Sequence, residues 1–181
     1  MPVLSIWSPE DGVLGAVAPL ALGAAAGTAL VVDLDPEGPH YPGAATLADL
    51  VAQGPRRDDL SPRRRGLAVM RNGGIGPDAA SEVVEGLIAG WPAIVLRLPR
   101  DTVGRPGALP ILPLLPGGLL RGYRGSAVYQ QSGWQLDPPG DGLVLPRPRR
   151  TTIGMLLTGV VPPPGNRWIR AWKRVWSHPW L

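Results

Sequence analysis

Val13 to Val32, VLGAVAPLALGAAAGTALVV, runs twenty residues without a charge, a length that suits a bilayer span. Three features divide it instead. Pro19, Gly23 and Gly27 interrupt it, its flanks are acidic (Glu10, Asp11, Asp33, Asp35), and no Lys or Arg anchors either end. The same lack of a basic leader argues against a secretory signal, although Ala24-Ala25-Ala26 would suit a cleavage site. Length and β-branching therefore assign a helix from about Val13 to Ala26, a turn at Gly27-Thr28 and a buried strand Ala29 to Leu34.

Working outward, Val3 to Trp7 reads as a first strand and Ser8-Pro9-Glu10-Asp11-Gly12 as the loop entering the helix, which makes a βαβ opening. A helix follows with Leu47, Leu50 and Val51 on one face, stopped by Gly54-Pro55. Gly66 to Arg71 predicts a strand, Asp78 to Ala89 a helix with Val83, Val84, Leu87 and Ile88 inward, and Ala93 to Leu98 a continuous apolar strand. Alternation of this kind predicts an α/β fold, a mainly parallel sheet flanked by helices. Leu109 to Leu115 reads as an irregular or edge strand because of Pro110 and Pro113. Leu119 to Gln131 and Thr151 to Val160 read as helices, with Gly142 to Leu145 a short strand between them. Residues 1–161 then form one domain, 162–166 (Pro162-Pro163-Pro164-Gly165-Asn166) a stiff linker, and 167–181 a separate tail.

The 181 residues suffice for one domain and fall short of two. With 25 Gly, 23 Pro and no Phe, the core must come from Ala, Leu, Val, Ile and Trp. Absence of cysteine excludes a disulfide framework and a thiolate metal site. The basic balance is local, because residues 1–166 hold 14 basic and 14 acidic side chains and the excess lies in Arg167, Arg170, Lys173 and Arg174. Arg56, Arg57 and Arg63 to Arg65 form a second basic cluster that could meet phosphate or be a solvated loop. His40 and His178, the two histidines, lie beside prolines and read as loop residues. No nucleophilic serine arrangement, paired-carboxylate spacing or metal-ligand spacing is present, so no catalytic residue, metal site or small-molecule substrate is identified.

Three matches in order resemble the MinD/ParA family of deviant-Walker P-loop ATPases. Leu4 to Val17, LSIWSPEDGVLGAV, stands where the family carries a strand, the loop KGGVGKTT and a helix. Thr28 to Gly38, TALVVDLDPEG, resembles its second strand and aspartate motif, and Ala45 to Gly54, ATLADLVAQG, the short helix that follows. The likeness covers roughly residues 1–100 and implies a truncated P-loop NTPase-like fold. Aligned on KGGVGKTT, however, Glu10 replaces the signature lysine, Asp11 the first glycine, Leu14 the third, Gly15 the phosphate-binding lysine and Ala16 the Mg²⁺-ligand hydroxyl; only Gly12 and Val13 remain. A phosphate loop needs glycines whose N–H groups converge on the anion and a lysine to neutralise it. Here Glu10 and Asp11 would repel a triphosphate, and the chain's one lysine, Lys173, is far along the sequence. Arg97 stands where the family has an acid after the fourth strand, whereas Asp33 and Asp35 are kept. In the family that pair helps activate water and read the partner subunit; here a recognition or structural role is expected.

The expectation is a non-hydrolysing pseudo-ATPase, with no cofactor, acting as a scaffold or regulator. The resemblance implies a membrane-associated machine of the kind that relatives serve in division, pilus or flagellar assembly and segregation. It also implies a protein partner, either a second copy or an intact paralogue, and a location at the inner face of a membrane. A nucleic-acid-associated partition or regulatory factor is the alternative, carried by the arginine cluster and the tail. In that tail, Trp168, Ile169, Trp172, Val175 and Trp176 recur at helical spacing with Arg167, Arg170, Lys173 and Arg174 around them. An amphipathic helix over 167–176, capped by Asn166, could lie on an anionic membrane, enter a partner's groove, or fold its tryptophans back onto the domain.

Overall fold

The structure, a computed structural model, describes residues 2–10, 12–43, 45–56, 58–62, 65–102, 106–117, 123 and 125–180. Seven strands form one sheet: β1 (Val3–Trp7), β2 (Thr28–Asp33), β3 (Gly66–Met70), β4 (Ile94–Arg97), β5 (Ala108–Leu114), β6 (Ala127–Gln131) and β7 (Gly142–Leu145). Their order is β3-β2-β4-β1-β5-β6-β7, and every pairing is parallel. All strands therefore point one way, and the loops at their carboxyl ends share one edge, where α/β sheets place their ligands.

The uncharged stretch resolves into α1 (Val13–Ala26) and the strand β2. A helix apolar all round must be covered all round, and α1 is: the sheet lies on one side, and α4 (Arg150–Leu157) and α5 (Arg167–Ser177) on the other. Gly23 allows the close approach to the sheet, since a Cβ there would lie 2.6 Å from Leu67 Cδ1. No helix among the described residues is long and apolar enough to cross a membrane. On the opposite face, α2 (Leu47–Gln53) and α3 (Ser81–Gly90) bury Leu47, Leu50, Val84 and Leu87 against Leu30, Val32, Ile94 and Leu96. A capping box starts α2: Thr46 Oγ1 accepts the Asp49 N–H and Asp49 accepts the Thr46 N–H.

Three readings of the second half of the chain need correction. Strand β5 is interior, between β1 and β6, although it contains Pro110 and Pro113. Its partners are staggered: Ala108 to Pro110 lie along β1 and Ile111 to Leu114 along β6, so that Pro110 closes the first pairing. The helix expected over Leu119 to Gln131 is contradicted at its C-terminal end, where Ala127 to Gln131 form β6 with Ala127, Val128 and Tyr129 fully buried. Short β-branched and aromatic runs of this kind carry little periodicity, and burial on both faces decides for strand. Residues 118–122 and 124 lie outside the described part of that expectation.

The third correction concerns the tail. Pro162 to Gly165 join it to the domain without setting it apart, because α5 lies along α1 and buries Trp168, Ile169, Trp172 and Val175 in the main core. Asn166 does cap the helix, accepting the N–H groups of Trp168 and Ile169, and its Nδ2 donates to Thr152 Oγ1 at 2.8 Å. The indoles are tied in by donation from Trp168 Nε1 to Gln130 Oε1 and from Trp176 Nε1 to the Leu22 carbonyl. In the core around α1, two of the three buried aromatics, Trp168 and Trp172, come from the C-terminal helix, and the third is Tyr41.

Candidate functional site

The carboxyl ends of β1, β2 and β4 meet where the retained aspartates lie. Register fixes this meeting: Asp33, last residue of β2, is directly opposite Arg97, last residue of β4. Both are buried, Asp33 at 0% and Arg97 at 2% exposure, and Asp35 is buried beside them. Arg97 Nη2 donates to Asp35 Oδ2 at 2.8 Å, while Nη1 donates to both Asp33 oxygens at 3.2 Å and to the Pro39 carbonyl at 2.8 Å. The guanidinium also stands 5.3 Å from the centre of the Tyr41 ring. An arginine can serve two carboxylates at once because its donors fan out in a plane.

The loop after β2 is wrapped around this cluster. Asp35 Oδ1 accepts the N–H groups of Glu37 and Gly38, and Asp33 Oδ1 accepts that of Asp35. Gly38 has no room for a side chain: a Cβ would lie 1.9 Å from Arg97 Nη2 and 2.2 Å from Asp35 Oδ2. Asn72 Nδ2 donates to the Asp33 carbonyl, and Tyr41 Oη donates to the Ala16 carbonyl in α1. Burial pushes the Asp33 carboxyl up to about 6, with Arg97 pulling the other way. Burial likewise raises the Tyr41 phenol, which stays protonated.

The loop before α1 is closed by its own carboxylate. Glu10 Oε2 accepts the Leu14 N–H at 3.2 Å, so a side-chain anion occupies an amide at the helix start. Gly15, where the family's lysine would stand, is pressed against this loop: a Cβ there would lie 2.8 Å from the Glu10 carbonyl oxygen. Any side chain at that position would displace the loop backbone. Ala16 lacks a hydroxyl and its carbonyl is taken by Tyr41. Between the two halves, Ser8, Gly15, Asp35, Arg97 and Arg100 line a cavity of about 10 Å³, room for roughly one water.

Thus the structure brings Glu10, Gly15, Ala16, Asp33 and Asp35 to one edge of the sheet; Gly12 and Val13 begin α1 beside them, and Asp11 lies outside the described residues. It adds Arg97, Tyr41 and Gly38, of which Arg97 is visible in the sequence only as a missing acid. The tail residues are elsewhere. Trp168, Ile169 and Trp172 are core, Trp176 is half-buried, and Arg167, Arg170, Lys173 and Arg174 are exposed on the opposite face of α5. A membrane or partner that needed the apolar face would find it already covered. Of the first arginine cluster, Arg56 and Arg65 are exposed and residues 57, 63 and 64 lie outside the described part. His40 is exposed, and His178 packs against Trp180. No group of three potential metal-ligating side chains occurs among the described residues.

No protein-family model matches the chain, and no curated protein matches it in sequence. Among solved structures, it is similar to a chain of the MinC:MinD cell division protein complex from Aquifex aeolicus, with a TM-score of 0.59 over 99% of this chain and 97% of that one, at 13% identity. The likeness is one of fold: both are α/β architectures, here a seven-stranded parallel sheet flanked by helices.

Proposed function

We propose that this chain is a non-hydrolysing, MinD/ParA-like pseudo-ATPase that works by binding a protein partner, as a scaffold or regulator of a membrane-associated machine. One observation carries the reading: the Arg97 guanidinium neutralises Asp33 and Asp35 at the carboxyl edge of the sheet, where a phosphate-handling relative would keep open space. The Glu10 carboxylate on the Leu14 amide complements it from the other side. A triphosphate would have to displace an internal anion and break a buried ion pair, and breaking such a pair costs about 3–5 kcal/mol. A protein partner is suggested by the similar structure being that of a two-protein complex. Because the apolar face of α5 is core, a position at the membrane would come through that partner.

Isothermal titration with ATP and Mg²⁺, with light scattering in parallel, tests the proposal. We expect no heat beyond dilution, no phosphate release above a buffer blank, and one mass with and without nucleotide. Micromolar binding accompanied by turnover, or a dimer formed only on adding ATP, would overturn it.

A further inference from the structure

A concavity lies away from the Asp33–Arg97 cluster, at the carboxyl ends of β6 and β7. It has a volume of about 620 Å³, and its walls include Arg147, Arg149, Arg167, Gln135, Ser132 and Trp134. Three guanidiniums therefore face one space, each on an exposed residue. Trp134 is 64% exposed, the most exposed of the large apolar residues among those described. An exposed indole beside three guanidiniums joins a flat apolar face to positive charge in one hollow.

Charge extends this feature beyond the cavity. From Gly142 to Leu181 the chain has seven Lys and Arg residues and no acidic one, although residues 1–141 hold fourteen acids against eleven bases. Three of the seven line the cavity. Arg170, Lys173 and Arg174 continue from Arg167 along the exposed side of α5, with Arg167, Arg170 and Arg174 at the three- and four-residue spacing that shares a helix face. Over eleven residues that face is about 16 Å long at 1.5 Å per residue.

We propose that the cavity and the exposed face of α5 form a binding track for a single-stranded nucleic-acid segment. One base would stack on Trp134, its neighbouring phosphates would meet Arg147, Arg149 and Arg167, and the following phosphates would pass Arg170 and Arg174. The chemistry fits on three counts. Planar guanidiniums pair bidentately with phosphate oxygens. An exposed indole offers a face to any base, without regard to sequence. A line of like charges with no acid among them suits a repeating anion better than a single one. Acidic protein segments and anionic lipid share the charge, but neither needs a solvent-facing indole inside an arginine-lined hollow. The site is independent of the nucleotide question, since it uses none of the residues around Arg97.

Fluorescence anisotropy of end-labelled dT12 and U12 oligonucleotides with the full chain tests this. We expect saturable binding at low salt, weakening as salt rises with a log–log slope of about −2 to −4, at roughly 0.7 per phosphate neutralised. Trp134→Ala should weaken it about tenfold or more, the scale of one stacked base, and the double variant Arg147→Glu, Arg167→Glu should abolish it. Arg56→Glu, on the loop after α2, should change it less than about threefold, since α2 packs on the face of the sheet opposite α5. All these side chains are exposed, and circular dichroism of each variant establishes that it folds. The proposal is overturned if neither oligonucleotide raises the anisotropy. It is equally overturned if Trp134→Ala binds as tightly as the parent chain, which would mean diffuse charge alone. Equal displacement of the oligonucleotide by polyglutamate or by phosphatidylglycerol vesicles at matched charge, assigning the surface to an acidic protein or a membrane, would also count against it.

Discussion

Arg97 supplies the positive charge that lets Asp33 and Asp35 stay buried, and its removal is the most direct test of how the edge of the sheet is held. Arg97→Ala would leave two carboxylates without a counter-charge, and we expect a loss of about 3–5 kcal/mol in urea unfolding, without any gain of ATP binding. The pH dependence has a defined sign. Asp33 is raised to about 6 in the fold, above the value of about 3.9 for an unfolded aspartate, so the folded state favours its protonated form. That contribution is complete below about pH 4 and is lost as pH rises through about 6, on the order of 3 kcal/mol at about 1.4 kcal/mol for each tenfold change in proton affinity. Asp49 moves the opposite way, lowered by its hydrogen bonds to Thr46, so its contribution changes only below this window. We therefore expect the urea midpoint to fall between about pH 4 and 6 for the native chain relative to Asp33→Asn, which lacks this titration; native and variant profiles that run parallel there would count against the buried, protonatable aspartate. In the sequence Asp33 and Asp35 are visible as a pair of aspartates, and Arg97 is visible as a missing acid. Their pairing is not, because it depends on the β2–β4 register, which places residues 33 and 97 side by side.

At the scale of elements, the loop into α1 and the helix α5 show what periodicity can and cannot report. In the sequence Gly15 stands out only by alignment with the lysine of the resembled family, whereas in the structure it is a packing constraint: the Gly15 Cα faces the Glu10 carbonyl. Gly15→Lys should therefore destabilise the chain by about 1–3 kcal/mol, as overpacked sites do, and titration with ATP should still give no heat. Binding restored by that one change would show that the loop opens freely. For α5, the spacing of Trp168, Ile169, Trp172 and Val175 announces an apolar face, and Asn166 and Pro179 announce its ends. What lies against that face is not in the helix. It is set by α1, whose uncharged circumference needs cover on the side away from the sheet and receives it from α4 and α5. Trp172→Ala, at a fully buried site, should cost about 3–5 kcal/mol, measured by chemical denaturation; a loss below about 1 kcal/mol, far under the usual cost of emptying a core site, would mean that α5 is only loosely applied.

Across the whole molecule, the first hundred residues are legible because β1, β2 and β3 are each followed by a helix of clear type, and β1, β2, β3 and β4 emerge close to their predicted positions. Beyond them β5, β6 and β7 are adjacent parallel strands; no helix separates β5 from β6 among the described residues, and none lies between β6 and β7. The alternation that signals a parallel sheet fades there, and without it β6 reads as helix. The same arrangement leaves the half of the sheet around β7 dependent on the last helix, since α5 packs on both α1 and β7. Sheet and tail should consequently unfold as one unit. In urea, near-ultraviolet circular dichroism, which follows the packed tryptophans, and far-ultraviolet circular dichroism, which follows the backbone, should give superimposable transitions. A chain ending at Pro164 would lose Trp168, Ile169, Trp172 and Val175 from the core, and we expect it to keep secondary structure but show no cooperative transition and bind a hydrophobic dye. A tryptophan signal that melts well before the backbone signal, together with a truncated chain that still unfolds cooperatively, would mean that α5 is an appended helix free to leave the domain.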